Sequence, residues 1–387
     1  MFEIMEAQLQ DAVIKVIGVG GCGGNAVDHM IEQGVLGVEF IAINTDAQAL
    51  KRNKAQTQLQ IGATITKGLG AGAVPDVGRA AAEEDRARIA ELISGANMVF
   101  ITAGMGGGTG TGAAPIVAQV AKEMDILTVA VVTKPFAHEG KRMRLAQAGI
   151  EALSEHVDSL IIVPNEKLMT VLGEDTTLLD AFRSSNSVLQ GAVAGIAEVI
   201  NVPGLVNVDF ADVRTLMSEN GMAMMGSATA SGADRAKVAA ERAMSSPLLE
   251  DVNLAGARGV LVNISSSCSL TLKEYREVTN SVQFAIEDAT VIVGSVFDEN
   301  MGDDLRVTIV ATGLGTPAER KQPKPVLAYE EQKRTGTHDE PVSTVNYNEL
   351  DMPAVMRHNR RREAIEAMKQ SGVDTLDIPS FLRKQAD

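Results

Sequence analysis

The stretch that decides the fold is residues 98–112, MVFITAGMGGGTGTG, in which a short apolar run leads directly into nine residues that include six glycines. The apolar run is typical of a buried strand, and residues 111–124 continue in a helical pattern. A strand that enters a helix through a glycine-rich turn is the building unit of parallel α/β sheets. The stretch therefore predicts an α/β fold.

Strands and helices alternate in the same way over the first half of the chain. The pattern predicts strands over 13–19, 38–43, 98–102, 126–132 and 159–163, and helices over 25–33, 76–93, 111–124, 139–153 and 178–200. Because the expected strands are almost continuously apolar, crossover helices should cover both faces of the sheet. We expect a doubly wound, Rossmann-type parallel sheet.

The last of these helices is long for a globular protein and is stopped by Pro203 and Gly204. After it the pattern changes to that of a smaller α+β domain, with helices over 209–217, 234–244 and 272–286 and strands over 259–265, 290–296 and 305–311. The predicted order is a flexible N-terminus (1–12), a parallel-sheet domain (13–177), a central helix (178–202) and the α+β domain (203–316).

The remaining residues have the composition of a tether. Residues 317–373 contain only eight Leu, Ile, Val or Phe, too few for a core, so we expect a disordered linker. Residues 374–387 again hold apolar side chains, and such a terminal cluster typically docks in a partner's groove. The cluster consists of Leu376, Ile378, Pro379, Phe381 and Leu382.

Charge and composition exclude several classes of protein. The net charge of −15 lies on residues 1–316, because the tail has 12 basic and 12 acidic residues, and an acidic body repels nucleic acid and anionic lipid. No apolar run approaches the ~20 residues of a membrane span, and no secretory signal precedes the fold, which predicts a cytoplasmic protein without direct membrane insertion. Two cysteines and five scattered histidines predict no metal site.

The first glycine-rich loop, GVGGCGGN over residues 18–25, follows a strand and opens a helix. Small residues there let backbone N–H groups approach a phosphate at the helix N-terminus. Alone, the loop fits a dinucleotide fingerprint, with Asp46 as the acid that binds the ribose. An NAD-dependent oxidoreductase is therefore one interpretation, beside binding of another phosphate or a merely tight turn.

The second loop, residues 104–112, changes this interpretation. It offers a second series of N–H donors and two hydroxyl groups, which one pyrophosphate does not need but a nucleoside di- or triphosphate does. A third loop, residues 68–73, adds a cover of small residues for the terminal phosphate. No P-loop lysine motif is present, so the chain is not a P-loop enzyme.

Taken together, these motifs closely resemble the FtsZ family of bacterial cell-division GTPases, which is related to tubulin. The resemblance covers residues 10–316 and 374–387. It rests on Gly20-to-Asn25, Asn44-Thr45-Asp46, the near-tubulin signature Gly106-to-Gly112, Asn207-to-Asp212 and the terminal Leu376-to-Leu382. It implies a tubulin-like fold that binds GTP or GDP, with Mg²⁺ carried by the nucleotide.

The resemblance also implies a set of nucleotide-binding residues. Phosphate contacts are implied for Gly21, Cys22, Gly23, Gly24, Asn25, Gly107, Gly108, Thr109, Gly110 and Thr111, with Asn44, Asp46, Gly70, Ala71 and Gly72 beside them. Ribose contacts are implied for Glu139 and Arg142, and guanine contacts for Asn165, Phe182 and Asn186.

Asp209 and Asp212 are the candidate catalytic residues. They are three residues apart at a predicted helix start, so both carboxylates should lie on one face and stay ionised, able to orient a water molecule or hold a cation. The plainer interpretation is that Asp209 only caps the helix. The resemblance favours catalysis, and it implies that this acidic loop completes the pocket of the next subunit in a head-to-tail filament.

The resemblance implies further partners and a location. The filament would form the cytokinetic ring at mid-cell, where regulators of the division site bind it. The terminal apolar cluster would bind membrane-anchored division proteins. A nucleotide-dependent scaffold without catalysis explains everything except Asp209 and Asp212.

Two positions depart from the family pattern. Cys22 stands where glycine is usual; its side chain should point away from phosphate, and its place at a helix N-terminus predicts a lowered thiol pKa. The segment Glu139-to-Arg144 is one residue short of the family spacing, so the ribose arginine is Arg142 or Arg144. We favour Arg142, because it precedes Met143.

Overall fold

The computed structural model describes residues 12–172, 176–202, 208–219, 221–249, 256–285 and 289–314. The predictions made for the linker 317–373, the terminal peptide 374–387, Asn207 and residues 1–11 lie outside this part of the chain.

Six parallel strands form the first part of the sheet, in the order β3-β2-β1-β4-β5-β6. This is the doubly wound order, and it confirms the predicted Rossmann-type sheet. The order reverses between β1 and β4, so a crevice opens there at the carboxyl ends of the strands. The strands are β1 (Ile14–Val19), β2 (Glu39–Asn44), β3 (Thr57–Gln60), β4 (Met98–Gly104), β5 (Leu127–Lys134) and β6 (Ser159–Pro164).

Helices cover both faces of this sheet, as the apolar strands require. One face packs against α1 and α9, and the other against α4, α5, α6 and α7. The helices of this part are α1 (Gly20–Glu32), α2 (Ala47–Arg52), α3 (Ala63–Thr66), α4 (Pro75–Glu84), α5 (Arg86–Ile93), α6 (Thr109–Glu123), α7 (Gly140–Ser154), α8 (Asn165–Leu172) and α9 (Leu178–Asn201).

Two helix predictions differ from the structure. The helix expected over 76–93 is divided between α4 and α5 at Asp85, whose buried carboxylate accepts hydrogen bonds from the Gly62 amide (2.8 Å) and from Arg88 (2.9 Å). The first helix begins at Gly20 rather than at residue 25. The glycines of the first loop therefore form the first turn of α1 instead of a separate loop.

The second half of the chain extends the same sheet. Strand β7 (Gly221–Ser231) pairs in parallel with β6, and the order continues β7-β10-β8-β9, so one ten-stranded sheet runs through both halves. A core of its own lies beneath α11 and α12, as expected for the predicted α+β part. The remaining elements are α10 (Phe210–Met217), α11 (Arg235–Met244), β8 (Gly259–Ser266), α12 (Leu272–Ala285), β9 (Thr290–Phe297) and β10 (Asp304–Leu314).

Helix α9 runs from the carboxyl ends of the parallel strands, here called the carboxyl edge of the sheet, to their amino ends, the amino edge. Near its start, the Ser185 hydroxyl donates to Asn165 Oδ1 (3.3 Å), just beyond the carboxyl end of β6. At its end, Asn201 donates to the carbonyls of Ala12 (3.0 Å) and Gly37 (2.6 Å), which precede β1 and β2. A helix of 24 residues is about 36 Å long, so α9 spans the sheet from its carboxyl edge to its amino edge.

Candidate functional site

The three glycine-rich segments meet at the N-terminus of α6. A Cβ added to Gly20 would lie 2.9 Å from the Gly110 amide nitrogen, and one added to Gly108 would lie 2.8 Å from Ala71 Cβ. Between them, the hydroxyls of Thr45 and Thr109 are 2.7 Å apart. The structure thus brings the first, second and third loops together at the carboxyl edge of the sheet.

The glycines of the first two loops fall into two groups. Gly23 is required for packing, because a Cβ there would lie 2.3 Å from the Thr102 carbonyl oxygen on β4. At Gly21 and Gly107, by contrast, a Cβ would meet no protein atom within 4 Å, and neither residue has a positive φ. Nothing inside the chain requires glycine at these two positions, which leaves open space beside the helix N-termini.

A cavity of about 190 Å³ lies between α1 and α2, next to this space. Gly21, Gly24, Asn25 and Asn44 are among its lining residues. The Asn53 side chain closes it from one side by donating to the Gly24 carbonyl (2.9 Å). The cavity therefore presents backbone groups and amide side chains, and the charged residues Asp28 and Arg52 also line it.

Asp46 has a local structural role. Its Oδ1 accepts hydrogen bonds from the amides of Gln48 (2.8 Å) and Ala49 (3.2 Å), so it caps α2. Its own amide donates to Asn44 Oδ1 (3.2 Å). One of the two carboxylate oxygens of Asp46 is thus engaged by the backbone of α2.

Cys22 differs from its prediction. Its Sγ lies 3.7 Å from the Thr133 hydroxyl, toward β5. Burial of the sulfur raises the pKa of the Cys22 thiol, although the contact with Thr133 acts in the opposite direction. The predicted lowering of this pKa is wrong, because burial disfavours the charged thiolate.

The second loop is held in shape from within the protein. Gly106 has a φ of +96°, and its amide donates to the Thr111 hydroxyl (2.9 Å). Thr111 is buried, so its hydroxyl supports the loop instead of facing the open space. Thr109, the first residue of α6, lies at the edge of that space with an exposed fraction of 9%.

The third loop lies over the second. Its Gly70 amide donates to the Thr45 carbonyl (3.3 Å), and both Gly70 and Gly72 have positive φ values. Leu69 in this loop is 81% exposed. The loop is therefore anchored on its inner side and presents an apolar residue to the outside.

Glu139 and Arg142 lie together at the start of α7. Arg142 donates to Glu139 Oε2 (2.7 Å), and the Phe136 amide donates to Oε1 (3.2 Å). Burial of the carboxyl group opposes ionisation, but these hydrogen bonds outweigh it and lower the pKa of Glu139. Arg142 also packs against the second loop, since a Cβ on Gly106 would lie 3.2 Å from Arg142 Cβ.

Asn165, Phe182 and Asn186 form a wall beyond the carboxyl end of β6, where the start of α8 lies beside the first half of α9. Phe182 and Asn186 are four residues apart on α9 and therefore share a face, and the intervening Ser185 donates to Asn165 Oδ1 (3.3 Å). Phe182 is 47% exposed, so part of its ring is free to make a contact. The wall offers a ring face and two amides, which suit a planar, hydrogen-bonding base.

Asp209 and Asp212 are not part of this site in the same chain. Asp209 is the N-cap residue of α10, but its carboxylate accepts no hydrogen bond from the first turn of the helix, so capping does not explain this side chain. Both carboxylates are exposed, and they have no hydrogen-bond partner in the described part of the chain. Helix α10 lies near the amino edge of the sheet, where Arg214 pairs with Asp125 (3.1 Å) just before β5.

Sequence reasoning missed two residues at the centre of the site. Thr45 was noticed only as part of a motif, and Gly20 only as part of a loop. Their contacts with Thr109 and Gly110 depend on strand register, which brings the ends of β1, β2 and β4 level.

Within the described residues there is no group of three or more His, Cys, Asp or Glu that could hold a metal ion. No described helix is long and apolar enough to cross a membrane.

Comparison with known proteins gives two family matches along the chain. Residues 13–173 match the GTPase domain of the Tubulin/FtsZ family, and residues 221–315 match the C-terminal domain of the FtsZ family. The chain is 59% identical to the cell division protein FtsZ of Pseudomonas aeruginosa, with both chains fully covered. It is 56% identical to that of Coxiella burnetii, with 99% of each chain covered.

Solved structures agree with this result. An empty FtsZ dimer from M. jannaschii superimposes with a TM-score of 0.76 at 44% identity, covering 80% of this chain and 89% of that one. CetZ2 from Haloferax volcanii, in a GTPγS-bound protofilament, gives a TM-score of 0.66 at 20% identity, covering 78% of this chain and 93% of that one, and so shows the fold alone.

These matches confirm the resemblance found in the sequence, and they give the oxidoreductase alternative no support. The chain belongs to the FtsZ family, the tubulin-like GTPases of cell division, which bind guanine nucleotides and assemble into polymers.

Proposed function

We propose that this chain binds GTP at the carboxyl edge of its parallel sheet and hydrolyses it only in a head-to-tail filament. The pocket of one subunit would be completed by Asp209 and Asp212 of the next. The phosphates would bind at the open space beside Gly21, Gly107 and the N-terminus of α6. Glu139 and Arg142 would hold the ribose, and Asn165, Phe182 and Asn186 the base.

One observation carries this proposal: the glycine loops and the acidic pair lie at opposite edges of one rigid sheet. Helix α9, about 36 Å long, separates them. Carboxylates at that distance cannot orient a water molecule at a phosphate bound in their own chain. A second subunit, stacked carboxyl edge to amino edge, brings an acidic pair to each pocket, and this heterologous contact repeats without closing.

Exposed apolar side chains at both edges support the same contact. Ile65, Leu69 and Val74 are exposed around the third loop at the carboxyl edge. Leu36, which follows α1, and Met124, which ends α6, are exposed at the amino edge. A monomer gains nothing by exposing these residues, whereas stacked subunits would remove them from water.

The chemistry required of the acidic pair is modest. Phosphoryl transfer depends on positioning and on electrostatic stabilisation, and an ionised carboxylate can hold the attacking water in line. Mg²⁺ would be carried by the nucleotide, since phosphate oxygens and water suit its octahedral shell and the described residues have no ready-made carboxylate cage. The cation would neutralise charge that develops on the phosphates.

The rest of the chain completes the proposal. Residues 13–177 would form the GTP-binding domain, 178–202 the central helix and 203–316 the domain that supplies the acidic loop to the neighbour. Residues 317–373 would be a tether for the peptide 374–387, which would bind membrane-anchored division proteins. Together with division-site regulators, these partners would hold the filament in the ring at mid-cell.

The test is to measure phosphate release from GTP and light scattering while the concentration of full-length protein is varied. Turnover per subunit should be negligible below a threshold and rise together with scattering. The double variant Asp209→Asn/Asp212→Asn should bind GTP and assemble but not hydrolyse. Asp234→Asn is a matched control, because Asp234 is also an exposed N-cap residue without a side-chain capping bond.

Mixing the proteins tests whether the site is shared. The double variant keeps its own pocket, so it is mixed with an equal amount of Gly21→Val, which keeps Asp209 and Asp212 but whose side chain would fill the open space proposed for the phosphates. Neither variant should hydrolyse GTP alone, but in a mixed filament about half of the double variant's pockets should face an intact acidic pair, so turnover per double-variant subunit should reach about half of the wild-type value. If scattering shows co-assembly but the mixture stays inactive, no pocket is completed by a neighbour and the proposal is wrong. Full activity of the double variant would contradict it as well.

A further inference from the structure

Thr45 lies at the junction of all three loops, but it does not face the open space. The residue is fully buried just beyond the end of β2. Its carbonyl accepts from the Gly70 amide (3.3 Å) and from the Thr66 hydroxyl (3.2 Å). Its own hydroxyl has one partner in the described part of the chain, the Thr109 hydroxyl at 2.7 Å.

The direction of this hydrogen bond follows from what each hydroxyl can reach. A buried hydroxyl that donates to nothing costs about 1–3 kcal/mol. If Thr109 donated to Thr45, the proton of Thr45 would have no acceptor. The Thr45 hydroxyl must therefore donate, and Thr109 Oγ1 must accept.

This direction leaves the Thr109 proton without an acceptor among the described residues. Thr109 is the first residue of α6 and borders the open space beside Gly107, where the structure places no side chain. An acceptor from outside the protein has to take the proton there. A phosphate oxygen is such an acceptor, and a donor already turned toward it binds more strongly than one that rotates freely.

We propose that Thr45 is a positioning residue, whose hydroxyl occupies the acceptor site of Thr109 and so turns the Thr109 proton toward the nucleotide phosphates. The inference rests on the proposed function, because it requires phosphates beside α6. Thr45 touches no ligand itself. It acts through Thr109, and its effect falls on nucleotide affinity and on KM more than on kcat.

Nearby residues provide matched variants. Thr45→Val keeps the shape of the side chain and removes the hydroxyl, whereas Thr45→Ser keeps the hydroxyl. Thr66→Val is the control, because the Thr66 hydroxyl is also buried in this region but donates to the carbonyls of Thr45 and Gly62 instead of Thr109. Thermal unfolding of each full-length variant identifies any loss that comes from misfolding.

The experiment measures the affinity of GDP and of GTPγS for the full-length protein, below its assembly threshold. We expect Thr45→Val to weaken both by about 3- to 10-fold, the worth of one hydrogen bond, while Thr45→Ser and Thr66→Val stay within about twofold of wild type. In a Thr109→Val background, the Thr45→Val change should have no further effect, because there is no proton left to direct.

Several results would overturn the inference. Thr45→Val could bind like wild type, Thr45→Ser could lose as much as Thr45→Val, or the Thr45→Val loss could persist in the Thr109→Val background. The last two would point to packing. If instead wild-type protein bound neither GDP nor GTPγS, the proposed function itself would fail, which is a different outcome.

Discussion

The Arg235–Glu274 pair offers a quantitative test of the packing in the second half of the chain. Glu274 on α12 accepts from Arg235 Nε on α11 (2.6 Å) and from the amide and hydroxyl of Thr271 (both 2.8 Å). Both charged side chains are largely buried, 7% and 14% exposed. The hydrogen bond from Arg235 is the main cause that lowers the pKa of Glu274 from its ordinary 4.5 to about 2.

This lowered pKa sets the magnitude of the effect. A carboxyl pKa that falls from 4.5 to about 2 on folding corresponds to about 3 kcal/mol of stability at neutral pH. Because the folded pKa is the lower one, this contribution is fully present above about pH 4.5 and is lost as the pH falls toward 2. Glu274→Gln should therefore reduce the free energy of unfolding by about 2–3 kcal/mol at pH 7, and by progressively less below pH 4.5.

The assay is urea unfolding of the full-length protein and the variant at pH 7 and at several values down to the lowest pH at which both fold. Glu277→Gln is the control on the same helix, because Glu277 pairs with the exposed Lys273 at 3.6 Å and should contribute less than about 0.5 kcal/mol. A Glu274→Gln difference that is equally large at pH 7 and pH 3.5, or one no larger than that of Glu277→Gln, would refute the reasoning.

Two further predictions concern the first turn of α1, which contains Gly21, Cys22 and Gly23. Gly23→Ala should destabilise the fold by at least about 1–3 kcal/mol, because its Cβ would collide with the Thr102 carbonyl, whereas Gly21→Ala should fold normally but bind GDP more weakly. Thermal unfolding measures the first effect and GDP titration the second. If the two variants behave alike, the division of these glycines into a packing group and an open group is wrong. Iodoacetamide should modify the exposed Cys268 at least about tenfold faster than Cys22, because burial raises the pKa of the Cys22 thiol. Mass spectrometry measures both labelling rates, and equal rates would show that Cys22 is not protected.

The sequence predicted those parts of the fold that have a nearly continuous apolar run or a strong helical period. The strands over 98–102 and 126–132 are apolar at nearly every position, and both match β4 and β5 closely. Strand β3, TQLQ, was missed because only Leu59 in it is buried. Strand β7 was missed because its residues, GMAMMGSATAS, have weak strand propensity, and pairing with β6 and β10 on its two sides makes it a strand.

The candidate site shows the same limit. Glycine spacing indicated which loops matter, since close approach of a backbone needs no knowledge of the fold. It did not show that Gly23 packs against β4 while Gly21 faces open space, because the two residues look alike in sequence. Nor did it identify Thr45, whose proposed role depends on its burial and on the single hydroxyl within its reach.

The separation of the two edges by α9 also determines how turnover should depend on filament length. A twofold-symmetric dimer would place like edges together and give no pocket an acidic pair, so only head-to-tail stacking can complete a site. In such a filament one terminal pocket always lacks a neighbour. Turnover per subunit should then be about half of its limiting value in a dimer and about nine-tenths in a filament of ten subunits. Sedimentation of the same samples measures the mean filament length. If turnover follows the total protein concentration and not this length, assembly and hydrolysis are independent.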